Sequence, residues 1–144
     1  MNVLKLLLLA GLLSYANAAL VRHSENIVKD DKSMILWQDS TDVKTKKFTF
    51  EESKRYCQKL SLDGQKGWKV PGFGELFSIV DPKSYNPTLP KEFKNFLPAN
   101  YWTTKGFSHG MSKEYFVVNF LSGAFNREHI DGKFSVRCYK KAVN

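Results

Sequence analysis

The sequence predicts an α+β domain in which two helices pack on a small antiparallel sheet, with a long irregular loop between them, and three observations predict it. Apolar residues recur at helical spacing in two segments of the first half, near residues 50–60 and 72–80, whereas the last third holds short β-prone runs separated by glycine-containing turns. Helices grouped before strands, rather than alternating with them, exclude a parallel doubly wound sheet. The chain has 144 residues, 42% hydrophobic and 25% charged, which suits one domain and excludes a disordered or fibrous chain.

The elements follow in order. Met1 to Lys5 is a short basic start, Leu6 to Leu13 is apolar, and Ala16 and Ala18 are small residues where a signal peptidase reads, so residues 1–18 are expected to be a signal peptide. The alternative is a membrane-spanning anchor, but an apolar run this short spans about half of a roughly 30 Å hydrocarbon core, so the signal peptide is the expectation. No cysteine precedes Cys57, so no lipid anchor is expected after cleavage, and the mature chain is expected in the periplasm or secreted. Residues 19–33 read as an N-terminal leader, either loose or a first edge strand, and residues 34–140 as the folded domain.

Met34 to Trp37 is a compact apolar run that fits a buried strand, and Asp42 to Lys47 a charged turn. Thr49 and Glu52 have the spacing of a capping box, and Phe50, Ser53, Cys57 and Leu60 form the apolar face of the helix it opens. That helix is expected to stop near Asp63-Gly64. Gly67 to Pro71 reads as extended, Gly72 to Val80 as a second helix, and residues 83–100, with Pro87, Pro90 and Pro98, as a long connection that could hold one helical turn at Lys91 to Phe96. Tyr101 to Thr104, Tyr115 to Leu121, Ala124 to Glu128 and Phe134 to Tyr139 read as strands, with turns at Ser122-Gly123 and Asp131-Gly132.

Cys57 and Cys138 are the two cysteines of an exported chain, and an oxidising compartment makes their pairing the expected state. A metal site would want a second Cys or His at short spacing, and neither cysteine has one. No cofactor and no metal are expected. Formal charge is +8, falling to +7 without Lys5, with +5 concentrated in residues 43–70. Such a balance favours polyanionic partners. Export removes nucleic acid from the expected partners and leaves acidic polysaccharide or an envelope protein.

Six ordered motifs carry a family resemblance: Ile35 to Asp39; Phe50-Glu51-Glu52 with Tyr56-Cys57; Gly67 to Pro71 with Glu75-Leu76; Tyr101 to Thr104; Val118 to Phe120 with Gly123; and Val136-Arg137-Cys138. Together they resemble a bacterial domain family that includes the C-terminal domain of the Legionella collagen-like adhesin. The resemblance implies a C-type-lectin-like fold with a first-helix cysteine bonded to one in the final strand, and it links the family to sulfated polysaccharide. Val70, where the family usually has Leu, and Gly72, where it usually has a hydroxyl or amide residue, depart from the pattern. The calcium motifs of true C-type lectins do not match Asn86-Pro87-Thr88 or Val118-Asn119-Phe120, so no calcium site is expected.

An enzyme is not expected, because both cysteines are assigned, no serine lies in a nucleophile motif, and Glu51, Glu52 and Glu75 are accounted for by helix starts. The expected function is an exported binding module for acidic or sulfated polysaccharide at the cell envelope or surface; the alternative is a structural or assembly protein of the envelope that binds another protein. Candidate binding residues are Lys105, Phe107 and His109, then Asn126, Arg127 and His129, helped by Lys44, Lys46 and Lys47. Aromatic rings stack on sugars, and cations pair with acidic substituents. The basic segment also reads as a solvated face that only keeps the chain soluble. Trp102 reads as core.

Overall fold

The computed structural model describes residues 19–143, so the expected signal peptide lies outside the described residues. Among the described residues, β1 (Leu20–Ser24), β2 (Ile27–Asp30) and β3 (Ile35–Gln38) precede three helices, α1 (Asp42–Thr45), α2 (Phe50–Lys59) and α3 (Phe73–Phe77). Four strands follow: β4 (Asn100–His109), β5 (Ser112–Asn119), β6 (Phe125–His129) and β7 (Tyr139–Lys141). They form two antiparallel sheets, ordered β1-β2-β3-β7 and β4-β5-β6. The segment that leads into β7 links the two, since its Ser135 bridges Tyr101 of β4 and its Tyr139 pairs with Trp37 of β3.

The central strands of this assembly are covered on both faces, which explains their continuous apolar runs. Successive strand residues point to opposite faces. Ile27, Leu36, Trp102 and Val117 therefore enter one core with Phe50, Cys57 and Trp68. Their neighbours Val28, Ile35, Trp37, Tyr101 and Val118 enter a second with Leu76, Ile79 and Phe93. α2 covers the first side, where the Phe50 ring stacks on Tyr115 at 3.6 Å between centroids. α3 covers the second.

Several expectations shift. Of the two readings of residues 19–33, the edge strand is the one found: β1 forms the edge of its sheet and β2 lies inside it, with Ile27 and Val28 fully buried, so the domain begins before residue 34. Two apolar residues between polar neighbours gave no alternation to read, because both point into a core. The charged turn at residue 42 becomes the single-turn helix α1, anchored by buried Val43. The capping box forms as expected, with Glu52 N–H donating to Thr49 Oγ1 at 3.3 Å and Thr49 N–H to Glu52 Oε1 at 2.9 Å. α2 ends at Lys59, earlier than expected, because Leu60 turns extended and carries Leu62 into the core. α3 is five residues long, shorter than the expected Gly72 to Val80, and buries Leu76, while Phe77 stays 42% exposed. Lys91 to Phe96 holds no helix, and the final strand starts at Tyr139 rather than Phe134.

A disulfide joins Cys57 on α2 to Cys138 beside β7, with Cα atoms 5.7 Å apart. Gln38 braces the same point, since Cys138 N–H donates to Gln38 Oε1 at 3.0 Å and Gln38 N–H to the Cys138 carbonyl at 2.9 Å. The sharper constraint is one residue on. Asp39 and Arg137, both fully buried, lie 3.2 Å apart. Arg137 also donates to the carbonyls of Gln38 at 2.6 Å and Asn95 at 2.7 Å, and its guanidinium lies 4.6 Å from the Phe93 ring centroid. The Asp39 carboxylate accepts from Arg22 Nη2 at 2.6 Å and from the backbone N–H groups of Lys94 at 3.0 Å and Asn95 at 2.9 Å.

Two predictions follow from these contacts. Non-reduced, alkylated protein should carry label on neither cysteine, and reduction should lower stability by up to about 4–5 kcal/mol, since the bond closes a long loop in the unfolded chain; mass spectrometry showing both cysteines labelled would contradict the pairing. Asp39→Asn should cost about 3–5 kcal/mol in urea unfolding, because it strands two arginines, one fully buried. Asp31→Asn, which breaks the exposed pair with Lys29, should cost less than about 1 kcal/mol.

Candidate functional site

The β4–β5–β6 sheet positions most of the candidate residues. Register opposes Phe107 to Glu114, Glu114 to His129, Phe116 to Arg127 and Val118 to Phe125. Cross-strand partners share a face, as do residues two apart. Phe107, Glu114, Phe116, Phe125, Arg127 and His129 therefore lie on the α3 side. Asn126, opposite Val117, lies on the other side and does not join them. Lys105, Phe107 and His109, which fall between the expected strands Tyr101 to Thr104 and Tyr115 to Leu121, lie instead on β4, which runs on to His109, and Trp102 is fully buried core.

Lys105 reaches this face through an irregularity in β4. Pairing jumps from Trp102 with Val117 to Gly106 with Tyr115, so β4 carries two more residues than β5 there. Such bulges re-aim side chains. Thr103 holds the bulge by donating its hydroxyl to the Phe116 carbonyl at 2.8 Å and accepting Lys105 N–H at 3.2 Å. Gly106 suits the position opposite Tyr115, because a Cβ there would come within 3.2 Å of that ring. The Lys105 ammonium consequently stands 5.5 Å from the Phe73 centroid and 5.3 Å from that of Phe116.

Around it the phenylalanines form one cluster. Phe73 stacks on Phe77 at 5.6 Å and meets Phe125 edge-on at 5.3 Å and Phe116 at 6.0 Å. Phe125 is 53% exposed, so the cluster is open to solvent at its rim. Beside it Arg127 lies over the Phe107 ring at 4.2 Å, and Phe107 is 39% exposed. Arg127 is partly balanced by Glu114 at 3.7 Å, whereas Lys105 has no carboxylate at ion-pair distance among the described residues. His129 is held by its own turn, its Nδ1 accepting from Asp131 N–H at 3.2 Å. The side chain of His109 lies outside the described residues; its backbone ends β4.

The basic segment lies elsewhere. Lys46 pairs with Asp42 at 3.4 Å and stands 5.9 Å from the Tyr56 ring on α2, on the opposite side of the sheet. Tyr56 donates to Asp42 at 2.7 Å, and burial first and then this carboxylate push its phenol well above the ordinary range. Lys47 lines a separate cavity with Asn100, Asn119 and Lys133. Lys44 is exposed on α1. Neither Lys46 nor Lys47 joins the Lys105 face.

Sequence reasoning missed the phenylalanine cluster, because Phe73 and Phe77 belong to the expected second helix and Phe116 to a strand far from it in sequence. The signal was present in β6, where Phe125, Arg127 and His129 recur at every second position. A cavity of about 810 Å³ lies on the long connection and is lined by Asp81, Tyr85, Pro87, Lys91, Glu92 and Phe96. The Ser84 hydroxyl and the Lys83 N–H hold the Asp81 carboxyl below its ordinary range. Acidic and basic groups are mixed there. Among the described residues no three His, Cys, Asp or Glu side chains converge to hold a metal, and no helix is long and apolar enough to cross a membrane.

Residues 26–140 match the model of the Lcl C-terminal domain, and the chain belongs to that family. The matched span includes β2, in agreement with the place of this strand in the sheet. Comparison with curated proteins gives no match.

Proposed function

We propose that the chain is an exported, non-catalytic binding module whose ligand is an acidic polysaccharide, bound on the α3 side of the β4–β5–β6 sheet. The observation that carries this is Lys105, exposed and without a carboxylate partner among the described residues, set above two phenylalanine rings with Arg127 on Phe107 beside it. A sugar ring has apolar faces that stack on an aromatic surface, while sulfate or carboxyl substituents take charge-assisted hydrogen bonds from cations at its rim. Membership in the Lcl C-terminal domain family supports a binding role, and the net charge of +8 supports an anionic partner. The disulfide between the longest helix and the last segment, together with the long loop between α3 and β4, supports reading the fold as C-type-lectin-like. The disulfide and the signal-like start of the sequence support export. The bonded cysteines offer no thiol nucleophile, which supports the non-catalytic reading.

Calcium has no part in this binding. Exposed ion contacts contribute only about 0–1 kcal/mol each, so affinity comes from several at once. The double variant Lys105→Glu, Arg127→Glu should reduce retention on an immobilised sulfated glycan about tenfold or more with an unchanged melting temperature. Salt should act in parallel, since the Debye length falls from about 10 Å at 0.1 M to about 3 Å at 1 M, and chelator should leave retention unaltered. Retention that ignores both charge reversals would transfer the open phenylalanine rim, Phe77 and Phe125, to the alternative of a protein partner in the envelope.

A further inference from the structure

Lys47 and Lys133 meet at a cavity of about 320 Å³ at the Asn100–Asn119 end of the second sheet, on the side away from the Lys105 face. Phe48 exchanges backbone hydrogen bonds with Phe134, at 2.8 and 2.9 Å, in an antiparallel bridge that sets Lys47 opposite Ser135 and Lys133 diagonal to it, opposite Thr49. Both lysines are exposed, and neither has a carboxylate at ion-pair distance among the described residues. Two like charges drawn to one pocket repel, and nothing in the fold requires them to face it.

The walls supply hydrogen-bond donors. Asn119 Nδ2 donates to Asn100 Oδ1 at 2.9 Å, which leaves the Asn100 amide nitrogen as a donor outside that contact. Ser135 forms part of the wall and is fully buried, yet its Oγ has no hydrogen-bond partner. A buried hydroxyl without a partner costs about 1–3 kcal/mol, so its presence calls for an explanation outside the folded chain. Glu52 is a carboxylate whose charge Lys133 senses; the Thr49 contacts of the capping box keep it ionised, so it offsets part of the charge of the two lysines but not all of it. The pocket keeps its positive sign.

We infer that this pocket is a binding site for a dianionic tetrahedral oxyanion, free or as a terminal monoester, with Lys47 and Lys133 supplying the charge and Asn100 and Ser135 the neutral donors. Two ammonium groups match two negative charges, and lysine serves such anions as a mobile point charge. At about 30 Å³ per water, the cavity holds about ten waters' worth of space, more than a bare ion fills, so the ester form fits it better. The site stands apart from the proposed polysaccharide face in residues and position, so either can fail without the other.

Calorimetric titration of the full chain with inorganic phosphate and with glucose 6-phosphate tests this. Saturable binding of both, weakened at least tenfold by Lys47→Gln with Lys133→Gln and several-fold by Ser135→Ala, is expected, with the Ser135→Ala melting temperature not lowered. Tighter binding of the sugar ester would assign the esterified source, and equal or tighter binding of phosphate the free ion. The variant Lys105→Glu should bind both ligands as the unaltered chain does. No saturable uptake of either ligand at tens of millimolar, or uptake unchanged in the double lysine variant, would overturn the assignment.

Discussion

One buried carboxylate holds this fold in register. Asp39 leaves the end of β3 and collects β1 through Arg22, the long connection through the amides of Lys94 and Asn95, and the final segment through Arg137. Burying a charge is unfavourable unless it is paired and fully hydrogen-bonded, and Asp39 meets both conditions with partners from three distant parts of the chain. The consequence is geometric. The long connection, which has no helix or strand of its own, is pinned at the point where it hands over to β4. β4 in turn carries the bulge that sends Lys105 over the phenylalanines. The disulfide and Gln38 secure the other flank of the same final segment, so the two cores close around one polar seam.

The sequence made the local parts of this legible. A capping box is a four-residue pattern with its own hydrogen bonds, and it formed at Thr49 and Glu52 as written. The cysteines could be paired from compartment logic alone. The helix-then-strand order gave the α+β class, and the ordered motifs gave the family that the match over residues 26–140 shows. What stayed hidden depended on distant partners. Asp39 after an apolar strand reads as a strand ending, and its pairing with Arg137 across 98 positions has no local signature. Ile27 and Val28 escaped notice because each fills a different core, so neither period shows.

The candidate site divides along the same line. Lys105, Phe107 and Arg127 were legible as residue types and do share one face, whereas Asn126 is turned away by the two-residue period of its own strand. Lys46 and Lys47 looked like helpers because charge was summed along the chain rather than over the surface. They stand behind α2 and at a separate pocket. Charge counted by segment therefore located a basic region but not a surface. The fold sets the basic residues in two places of different character, an open aromatic face with cations on it and a pocket lined by two lysines and a residue with an unpartnered hydroxyl.

That the open face receives the acidic polysaccharide is the central claim, and amide chemical-shift mapping tests it most directly. Titrating the isotope-labelled chain with a sulfated oligosaccharide at low salt should move the resonances of Lys105, Phe107, Phe116, Phe125 and Arg127 together, in one saturable phase reversed by salt. Shifts confined to α2 and the residues around Lys46, with the β4–β5–β6 face unmoved, would contradict it.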